Sequence, residues 1–234
     1  MSVKSLNSET IELLRENFDS VRSNIERVSG EKKVTLLAAT KTVDVDVINY
    51  AIDNLGLTDI GENRVQELIE KYDALHKNNV NLHFIGRLQT NKVKYIIDKV
   101  CLIHSLDSER LALEIEKQAS KHGLVMDVLI EVNIAYEASK GGILPSDAPR
   151  FLAFVDSLEH VNCKGVMVIP PDCKDDDVYT QYFEKTTELS KELFGSREYV
   201  ISMGMTDSYI PAVKCGSDIV RIGSGLFGKR NYNI

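Results

Sequence analysis

The stretch VTLLAATK, residues 34–41, decides how this chain is expected to fold. Residues 34–39 carry no charge and a single hydroxyl, which is typical of a strand buried on both faces in a parallel α/β fold. Lys41 follows this strand directly, at the carboxyl end where such folds bind ligands. A partly dehydrated lysine has a lowered pKa and can condense with an aldehyde, whereas most lysines after a strand are simply solvated. Both interpretations of Lys41 are open at this point.

Short apolar segments and helix-length periodic segments alternate along the rest of the chain. Seven further strands are predicted at residues 57–61, 82–85, 100–105, 125–132, 164–169, 199–203 and 219–222. Helices are predicted at residues 8–28, 63–76, 90–99, 108–122, 147–159, 178–194 and 207–214, and one more ends at Gly56. This order predicts an α/β fold, a single (β/α)8 TIM barrel. No helix is predicted after the eighth strand, so the extra N-terminal helix is expected to cover that junction.

Length and charge limit the possible functions. With 234 residues, the chain is close to the roughly 250 residues of a typical barrel, and we expect one domain over residues 1–234. A formal net charge of -7 argues against nucleic acid or an anionic membrane surface as a partner. The sequence contains neither a signal peptide pattern nor an apolar run long enough to span a membrane, so a soluble, cytoplasmic protein is expected.

Cysteine and histidine give no sign of a metal site. The four cysteines form no C-x-x-C pair and are interpreted as reduced thiols. The five histidines are scattered, so each is expected to be structural or exposed. The acidic run at residues 174–177 is interpreted as a solvated turn and helix cap. No metal ligand is therefore predicted.

Two loops rich in small residues follow the seventh and eighth predicted strands. They read SMGMT at residues 202–206 and GSG at residues 223–225. Glycine lets backbone N–H groups approach an anion, hydroxyls add donors, and TIM barrels often bind phosphate on these two loops. Turns also need such residues, so a plain turn remains the alternative for each loop.

Several motifs occur in the order found in one known family. They are Lys41 after its strand, GENRVQE at 61–67, HFIGRLQTNK at 83–92, KGG at 140–142, GVM at 165–167, SMGM at 202–205 and VRIGS at 220–224. Over about residues 34–230 the chain resembles the pyridoxal phosphate homeostasis proteins. That family is similar in fold to the barrel domain of alanine racemase. The resemblance implies pyridoxal 5′-phosphate (PLP) as the cofactor, bound as a Schiff base.

The resemblance also implies roles for single residues. Lys41 matches the lysine that forms the aldimine. Ser202, Gly223 and Ser224 match contacts to the phosphate through side chains or backbone N–H groups, and Gly204 belongs to the same motif as Ser202. These assignments place the cofactor across the end of the barrel where the strands finish.

Arg221 matches the arginine that faces the pyridine nitrogen in the racemase barrel. An arginine cannot accept a proton from the ring, whereas an aspartate would hold the pyridinium that makes the cofactor a strong electron sink, so carbanion chemistry would be weakened. A structural ion pair is the alternative role for Arg221. Asn63 and Met167 are expected to line the same opening, although either could serve packing or capping.

The chain also departs from the family at two positions. Arg64 stands where the family often has tyrosine, and Gly141 stands where it often has serine. Neither position carries the covalent bond to the cofactor, so the implied cofactor is unaffected.

The expected function is that of a PLP carrier or buffer in vitamin B6 homeostasis, not an enzyme. Racemisation needs an acid and a base on opposite faces of the substrate, and the sequence up to Ile234 offers no domain that would supply the second group. The alternatives are a weak PLP-dependent racemase or similar enzyme, and an aldolase that forms a Schiff base without a cofactor. A monomer is expected, with PLP-dependent apoenzymes as candidate recipients of the cofactor.

Overall fold

Eight parallel strands close into a barrel in the computed structural model, which describes residues 6–137 and 141–228. In chain order they are β1 (Thr35–Ala39), β2 (Asp59–Glu62), β3 (Asn81–Phe84), β4 (Leu102–Leu106), β5 (Met126–Val132), β6 (Val161–Val168), β7 (Val200–Ser202) and β8 (Ile219–Ile222). Each strand pairs with the next along the chain, and β8 closes the ring by pairing with β1. The predicted barrel is therefore confirmed.

Helical segments connect the strands on the outside of this ring. The α-helices are α1 (Ser8–Ser29), α2 (Val45–Leu55), α3 (Val65–Tyr72), α4 (Glu109–His122), α5 (Ala148–Val155), α6 (Asp176–Phe194), α7 (Tyr209–Lys214) and α8 (Ser224–Phe227). Two 3-10 helices, Thr90–Tyr95 and Pro145–Asp147, complete the connections. No helix within residues 6–137 and 141–228 combines the length and the apolar character that crossing a bilayer requires.

The helix ends follow from the local sequence. Asn7 caps α1, because its side-chain oxygen accepts a hydrogen bond from the Thr10 N–H at 2.8 Å. Asp44 caps α2 in the same way. Gly56 ends α2 with φ of 61°, a left-handed conformation that glycine adopts without steric cost.

Side chains alternate between the interior of the barrel and the layer beneath the helices. A small cluster of buried apolar residues fills the interior, namely Leu37, Ala39, Ile85, Leu102, Leu129, Met167 and Ile219. A much larger cluster joins the outer faces of the strands to the helices. The same alternation directs several polar residues inward, namely Asp59, His83, His104, Glu131, Ser202 and Arg221. The interior is thus apolar in part and polar in part.

The structure differs from the prediction at the end of the barrel. A helix of one turn, α8, follows β8, where none was expected. The N-terminal helix α1 packs against both α7 and α8, on either side of β8 in the chain. The rings of Phe18 and Phe227 meet edge to face with centroids 5.9 Å apart, and the Asn17 side chain donates to the Leu226 carbonyl at 3.1 Å. Helix α1 therefore covers the junction together with α8.

A second difference lies between β3 and β4. The apolar spacing predicts an α-helix over residues 90–99, but the chain forms the shorter 3-10 helix Thr90–Tyr95. The spacing of Val93, Ile96 and Ile97 by three and four residues allows both geometries, and all three side chains are buried. Hydrogen bonds between residues three apart, such as Ile96 N–H to the Val93 carbonyl at 3.0 Å, then select the tighter turn.

Candidate functional site

The carboxyl ends of the eight strands surround one opening of the barrel, which we call the mouth. Lys41 stands there, two residues beyond the end of β1, and is half-buried. It continues the alternation of Leu37 and Ala39, whose side chains point into the barrel. Because β1 pairs with both β2 and β8, Lys41 lies beside the ends of these two strands.

The backbone on both sides of Lys41 is held by ionic side chains from β2 and α3. Lys71 donates to the carbonyl of Thr40 at 2.8 Å, to Glu62 Oε1 at 2.9 Å and to Glu67 Oε1 at 2.8 Å. Glu67 also accepts a hydrogen bond from the backbone N–H that follows Lys41. That next residue, Thr42, has φ of 62°, which is uncommon for a β-branched residue and must be stabilised by its surroundings. We call Glu62, Glu67 and Lys71 the Lys71 clamp.

Glu62 is the buried member of this clamp, with 1 % of its surface exposed. Burial raises the pKa of its carboxyl above the ordinary value, and the opposing effects of Lys71 and Thr40 reduce that rise without cancelling it. Thr40 donates its hydroxyl to Glu62 Oε1 at 2.7 Å. The second oxygen, Oε2, has no hydrogen-bond partner among the described residues.

The loops after β7 and β8 lie side by side at the mouth, as the sequence predicts. The hydroxyl groups of Thr206 and Ser224 are 3.2 Å apart, and the Gly225 N–H donates to Thr206 Oγ1 at 3.2 Å. Gly204 has φ of 93°, and a Cβ there would lie 2.6 Å from the Cβ of Ala212 in α7. Only glycine therefore allows this loop to approach α7 so closely.

Arg221 lies inside the barrel beneath the mouth and is 4 % exposed. Its Nη1 donates to the carbonyl of Ser202 at 2.8 Å and to the Ser202 hydroxyl at 2.7 Å, and its Nη2 donates to the Val168 carbonyl at 2.9 Å. Burial lowers the pKa of Arg221 to about 10, partly opposed by the charge of Glu131, so the guanidinium is still charged at neutral pH. All three of these hydrogen bonds go to uncharged oxygens.

Glu131 faces Arg221 from β5. Burial raises the pKa of its carboxyl, the nearby charge of Asp107 adds to the rise, and the charges of Arg221 and Arg87 oppose it. The mouth therefore contains a partly buried carboxyl group near a buried cation. The protonation of the Glu131 carboxyl is therefore sensitive to all three of these charged neighbours.

Ser202, which is expected to contact the phosphate through its side chain or its backbone N–H, ends β7 below the two loops. The residue is 0 % exposed, and its hydroxyl lies between Arg221 and His104, whose Nδ1 is 3.0 Å away. Ser202 therefore contacts Arg221 through both its carbonyl and its hydroxyl.

His83 and His104, which were expected to be structural or exposed, are both buried inside the barrel and contact other polar side chains. They lie in neighbouring strands, and His83 Nδ1 is 2.9 Å from His104 Nε2. His83 Nε2 is 3.3 Å from Asp59 Oδ1 at the start of β2. Because side chains alternate along β3 and β4, the sequence alone could have placed both rings inside the barrel. Their meeting depends on the register between the strands, which the sequence does not reveal.

Asn63 and Gly86 bring the loops after β2 and β3 together. A Cβ on Gly86 would lie 2.1 Å from the Asn63 carbonyl oxygen, so no larger residue fits without a backbone shift. The side-chain oxygen Oδ1 of Asn63 is buried and has no hydrogen-bond partner among the described residues. Met167 is fully buried in the interior cluster, so it supports the mouth from below and does not line it.

A polar cavity of about 960 Å³ opens beside Asn63, between the loops after β2, β3 and β4. Its lining includes four basic side chains and one acidic one, namely Arg64, Arg87, Lys92, Arg110 and Asp107. This volume is in the range of small-molecule sites. The cavity therefore leaves room for a second molecule next to the mouth.

Two other expectations concern regions away from the mouth. In the acidic run at residues 174–177, Asp175 caps α6 by accepting hydrogen bonds from the Asp177 and Val178 N–H groups, as predicted. Within the residues that the structure describes, no group of three or more His, Cys, Asp or Glu side chains could hold a metal ion. Lys140, in the motif at 140–142, lies outside the described residues.

Comparison with known proteins identifies the family. The alanine racemase, N-terminal domain family matches residues 14–231. A pyridoxal phosphate homeostasis protein from Aquifex aeolicus is 45 % identical over 227 residues, which cover 94 % of this chain and 98 % of that protein. The protein of the same name from Escherichia coli is 31 % identical, covering 93 % and 97 %.

Solved structures agree with this relationship. PipY from Synechococcus elongatus, solved with PLP bound, superposes with a TM-score of 0.82 at 28 % identity, covering 92 % of this chain and 100 % of that one. An alanine racemase from Clostridium difficile shares the fold, with a TM-score of 0.72 at 13 % identity. Given both the sequence relatives and the barrel, this chain belongs to the pyridoxal phosphate homeostasis protein family.

Proposed function

We propose that this chain binds PLP at the mouth of the barrel, forms a Schiff base with it through Lys41, and acts as a carrier or buffer of the cofactor. The observation that carries the proposal is the meeting of three features at one opening: Lys41, the buried Arg221 and the linked loops after β7 and β8. Its support from outside this chain is the PLP-bound state of PipY.

Lys41 supplies the amine. The Lys71 clamp fixes the peptide groups before and after it, through the Thr40 carbonyl and the Thr42 N–H. Such fixation lowers the entropy that the lysine loses when it forms a covalent bond. When bound, PLP contributes an aldehyde that condenses reversibly with a primary amine.

The phosphate would bind on the loops after β7 and β8. Gly223 and Ser224 are at the surface of the mouth, and the Thr206 hydroxyl holds Ser224 in place. Gly204 belongs to this site through its backbone, since its carbonyl accepts a hydrogen bond from the backbone N–H of Arg221 at 3.0 Å. Ser202 acts one layer below, as the partner of Arg221.

The ring nitrogen would face Arg221. The contacts with Ser202 and Val168 use three of its five N–H groups, and the other two have no described protein acceptor within hydrogen-bond distance. A guanidinium donates to a neutral ring nitrogen and leaves it without a proton, which weakens the cofactor as an electron sink. Asn63 Oδ1, a buried acceptor with no described partner, fits a donor on the cofactor.

These features favour storage over catalysis. Tight, reversible capture needs the amine, the anion site and the arginine. Racemisation would also need an acid and a base on opposite faces of the substrate, together with a ring that stabilises negative charge. The cavity beside Asn63 gives an incoming amine a route to displace Lys41, and PLP-dependent apoenzymes are the proposed recipients. We propose that the protein does this as a monomer.

Reduction with borohydride tests the proposal directly. The purified protein mixed with PLP should absorb near roughly 420 nm, as protonated Schiff bases of the cofactor do. Borohydride should remove this band and leave a phosphopyridoxyl group on the peptide that contains Lys41. Lys41→Ala should lose the band, whereas Lys92→Ala, at the adjacent cavity, serves as the matched control and should keep it. A label found mainly on Lys92 or Lys140 would contradict the assignment.

A transfer assay separates a carrier from an enzyme. The PLP-bound protein should restore activity to an apoenzyme faster than its PLP dissociates into buffer that contains an excess of a PLP trap. If apoenzyme activity returned no faster than PLP dissociates, directed transfer would be excluded and the protein would serve only as a store of PLP. Absence of the absorbance band together with turnover of a sugar phosphate would favour the cofactor-free aldolase.

A further inference from the structure

A chain of polar side chains runs through the interior of the barrel from the mouth towards the opposite end. Arg221 Nη1 lies 2.7 Å from Ser202 Oγ, and Ser202 Oγ lies 3.0 Å from His104 Nδ1. His104 Nε2 lies 2.9 Å from His83 Nδ1, and His83 Nε2 lies 3.3 Å from Asp59 Oδ1. We call these five residues the interior chain. Four of them are less than 5 % exposed, so water does not compete for these contacts.

The direction of every hydrogen bond in the interior chain follows from Arg221. A guanidinium can only donate, so Ser202 Oγ accepts from it. The serine hydroxyl then donates its own hydrogen to His104 Nδ1, the remaining group within reach in the contacts described. His104 must therefore carry its hydrogen on Nε2, which donates to His83 Nδ1. His83 in turn carries its hydrogen on Nε2 and donates to Asp59.

The opposite direction leaves groups unsatisfied. If His104 donated from Nδ1 to Ser202, the serine oxygen would accept twice and its hydrogen would have no described acceptor. A neutral His83 would then direct a lone pair at the Asp59 carboxylate, which is repulsive. A buried donor without a partner costs far more than an ordinary hydrogen bond contributes. Only the direction from Arg221 to Asp59 satisfies all five residues with neutral rings.

The charges at both ends agree with this direction. Burial lowers the pKa of His104 well below its usual value, and the charge of Arg221 adds to this effect, so its ring is neutral. Burial alone would raise the pKa of Asp59, but hydrogen bonds from His83, Thr58 and Asn81 outweigh it and leave the pKa below its ordinary value. Asp59 is therefore a carboxylate at neutral pH.

We propose that His104 is a positioning residue for the cofactor site and that His83 and Asp59 fix its tautomer from the far end of the barrel. The fixed tautomer makes Nδ1 of His104 an acceptor. The Ser202 hydroxyl hydrogen therefore points to His104, and a lone pair of Ser202 Oγ points to Arg221. Arg221 is thereby held with two N–H groups directed away from Ser202. The link to PLP rests on the function proposed above, whereas the tautomers do not.

Nitrogen NMR of the histidine rings tests the interior chain without any cofactor. At pH 7, both His83 and His104 should be neutral and protonated on Nε2. A His104 protonated on Nδ1, or a doubly protonated His83, would overturn the assigned direction. If the wild-type protein failed to bind PLP, the proposed function would fail while this measurement still decided the tautomers.

Two substitutions of similar size test whether His104 acts through Ser202. In His104→Asn, the amide oxygen can occupy the Nδ1 position and still accept from Ser202. In His104→Gln, the amide reaches the Nε2 position and contacts His83 instead. We expect PLP affinity to fall by about tenfold in the Gln variant and by less than about threefold in the Asn variant, since each loses one hydrogen bond but only the Gln variant loses the one to Ser202, which contacts Arg221. Equal losses would show that ring volume alone matters.

Asp59→Asn provides a test that does not alter the buried rings. Replacing the carboxylate weakens the acceptor for His83 without changing shape, so the His83 Nε2 resonance and the absorbance maximum of bound PLP should both shift. Asp127→Asn is the matched control, because Asp127 also lies near the start of an inner strand but bonds to Asn162 at 2.6 Å, outside the interior chain. A PLP spectrum and affinity identical to wild type in Asp59→Asn, with the ring resonance shifted, would refute transmission along the chain.

Discussion

The Lys71 clamp leads to a prediction about stability that changes sharply with pH. Replacing Lys71 with methionine keeps most of its apolar stem but removes three hydrogen bonds, to Thr40, Glu62 and Glu67. The most affected residue is Glu62, because it is 1 % exposed and would keep a buried charge with no cation beside it. Removing one partner of a buried ion pair typically costs about 3–5 kcal/mol.

Protonation of Glu62 limits this cost. The ordinary pKa of a glutamate is 4.5, so protonating its carboxylate at pH 7 costs at most about 3.4 kcal/mol, at about 1.36 kcal/mol per pH unit. At pH 5 the same protonation costs at most about 0.7 kcal/mol. The sign follows from the raised pKa: the folded state binds more protons than the unfolded state, so the variant loses stability as pH rises through the window above 4.5.

Urea unfolding at pH 5 and pH 7 measures this difference. We expect Lys71→Met to lose about 3 kcal/mol of unfolding free energy at pH 7 and less than about 1 kcal/mol at pH 5. The double variant Lys71→Met with Glu62→Gln should recover most of the loss at pH 7, because the buried charge is absent. Lys191→Met, on the exposed surface of α6, controls for the change in net charge. An equal loss at both pH values would refute the role of Glu62.

Three further predictions concern the mouth. Gly86→Ala should cost about 1–3 kcal/mol in urea unfolding, because the new Cβ would lie 2.1 Å from the Asn63 carbonyl, whereas Gly141→Ala, where the nearest atom is 3.7 Å away, should cost little. Ser224→Asp should weaken PLP binding in a fluorescence titration by about tenfold through repulsion of the phosphate, and Ser224→Ala much less; equal affinities would place the phosphate elsewhere. Incubation with PLP and L-alanine in D₂O should not form D-alanine at the rate of an ordinary enzyme. Formation at about 10 per second, the median for enzymes, would reveal an acid that the proposed site lacks.

Much of the fold could be predicted, because a parallel barrel repeats one simple pattern. The run at residues 34–41 carries the signal of a strand buried on both faces, and the strand ends set the place of Lys41 and Arg221 at one opening. The end of α2 at Gly56 depends on residues that are close in sequence, so it was visible in the sequence. The one-turn helix α8 was missed because four residues are too few to show a period.

The polar interior could not be predicted, because it depends on contacts between strands. His83 and His104 are 21 residues apart in sequence, and only the register of β3 against β4 brings their rings together. Ser202 looked like a loop residue for binding phosphate, yet it ends β7 on its inner face. The contact of Lys71 with the Thr40 carbonyl spans 31 residues, so no local pattern reveals it.

Pairing between β1 and β8 also has a consequence for how the protein is made. Residues 35–38 pair with residues 219–222, so the ring cannot close until nearly the whole chain is available. Contacts between distant parts of a sequence form late, since the intervening loop must first be ordered. During synthesis, Lys41 therefore leaves the ribosome long before Arg221 and the last two loops. The proposed cofactor site is therefore complete only after the eighth strand has been made and has paired with the first.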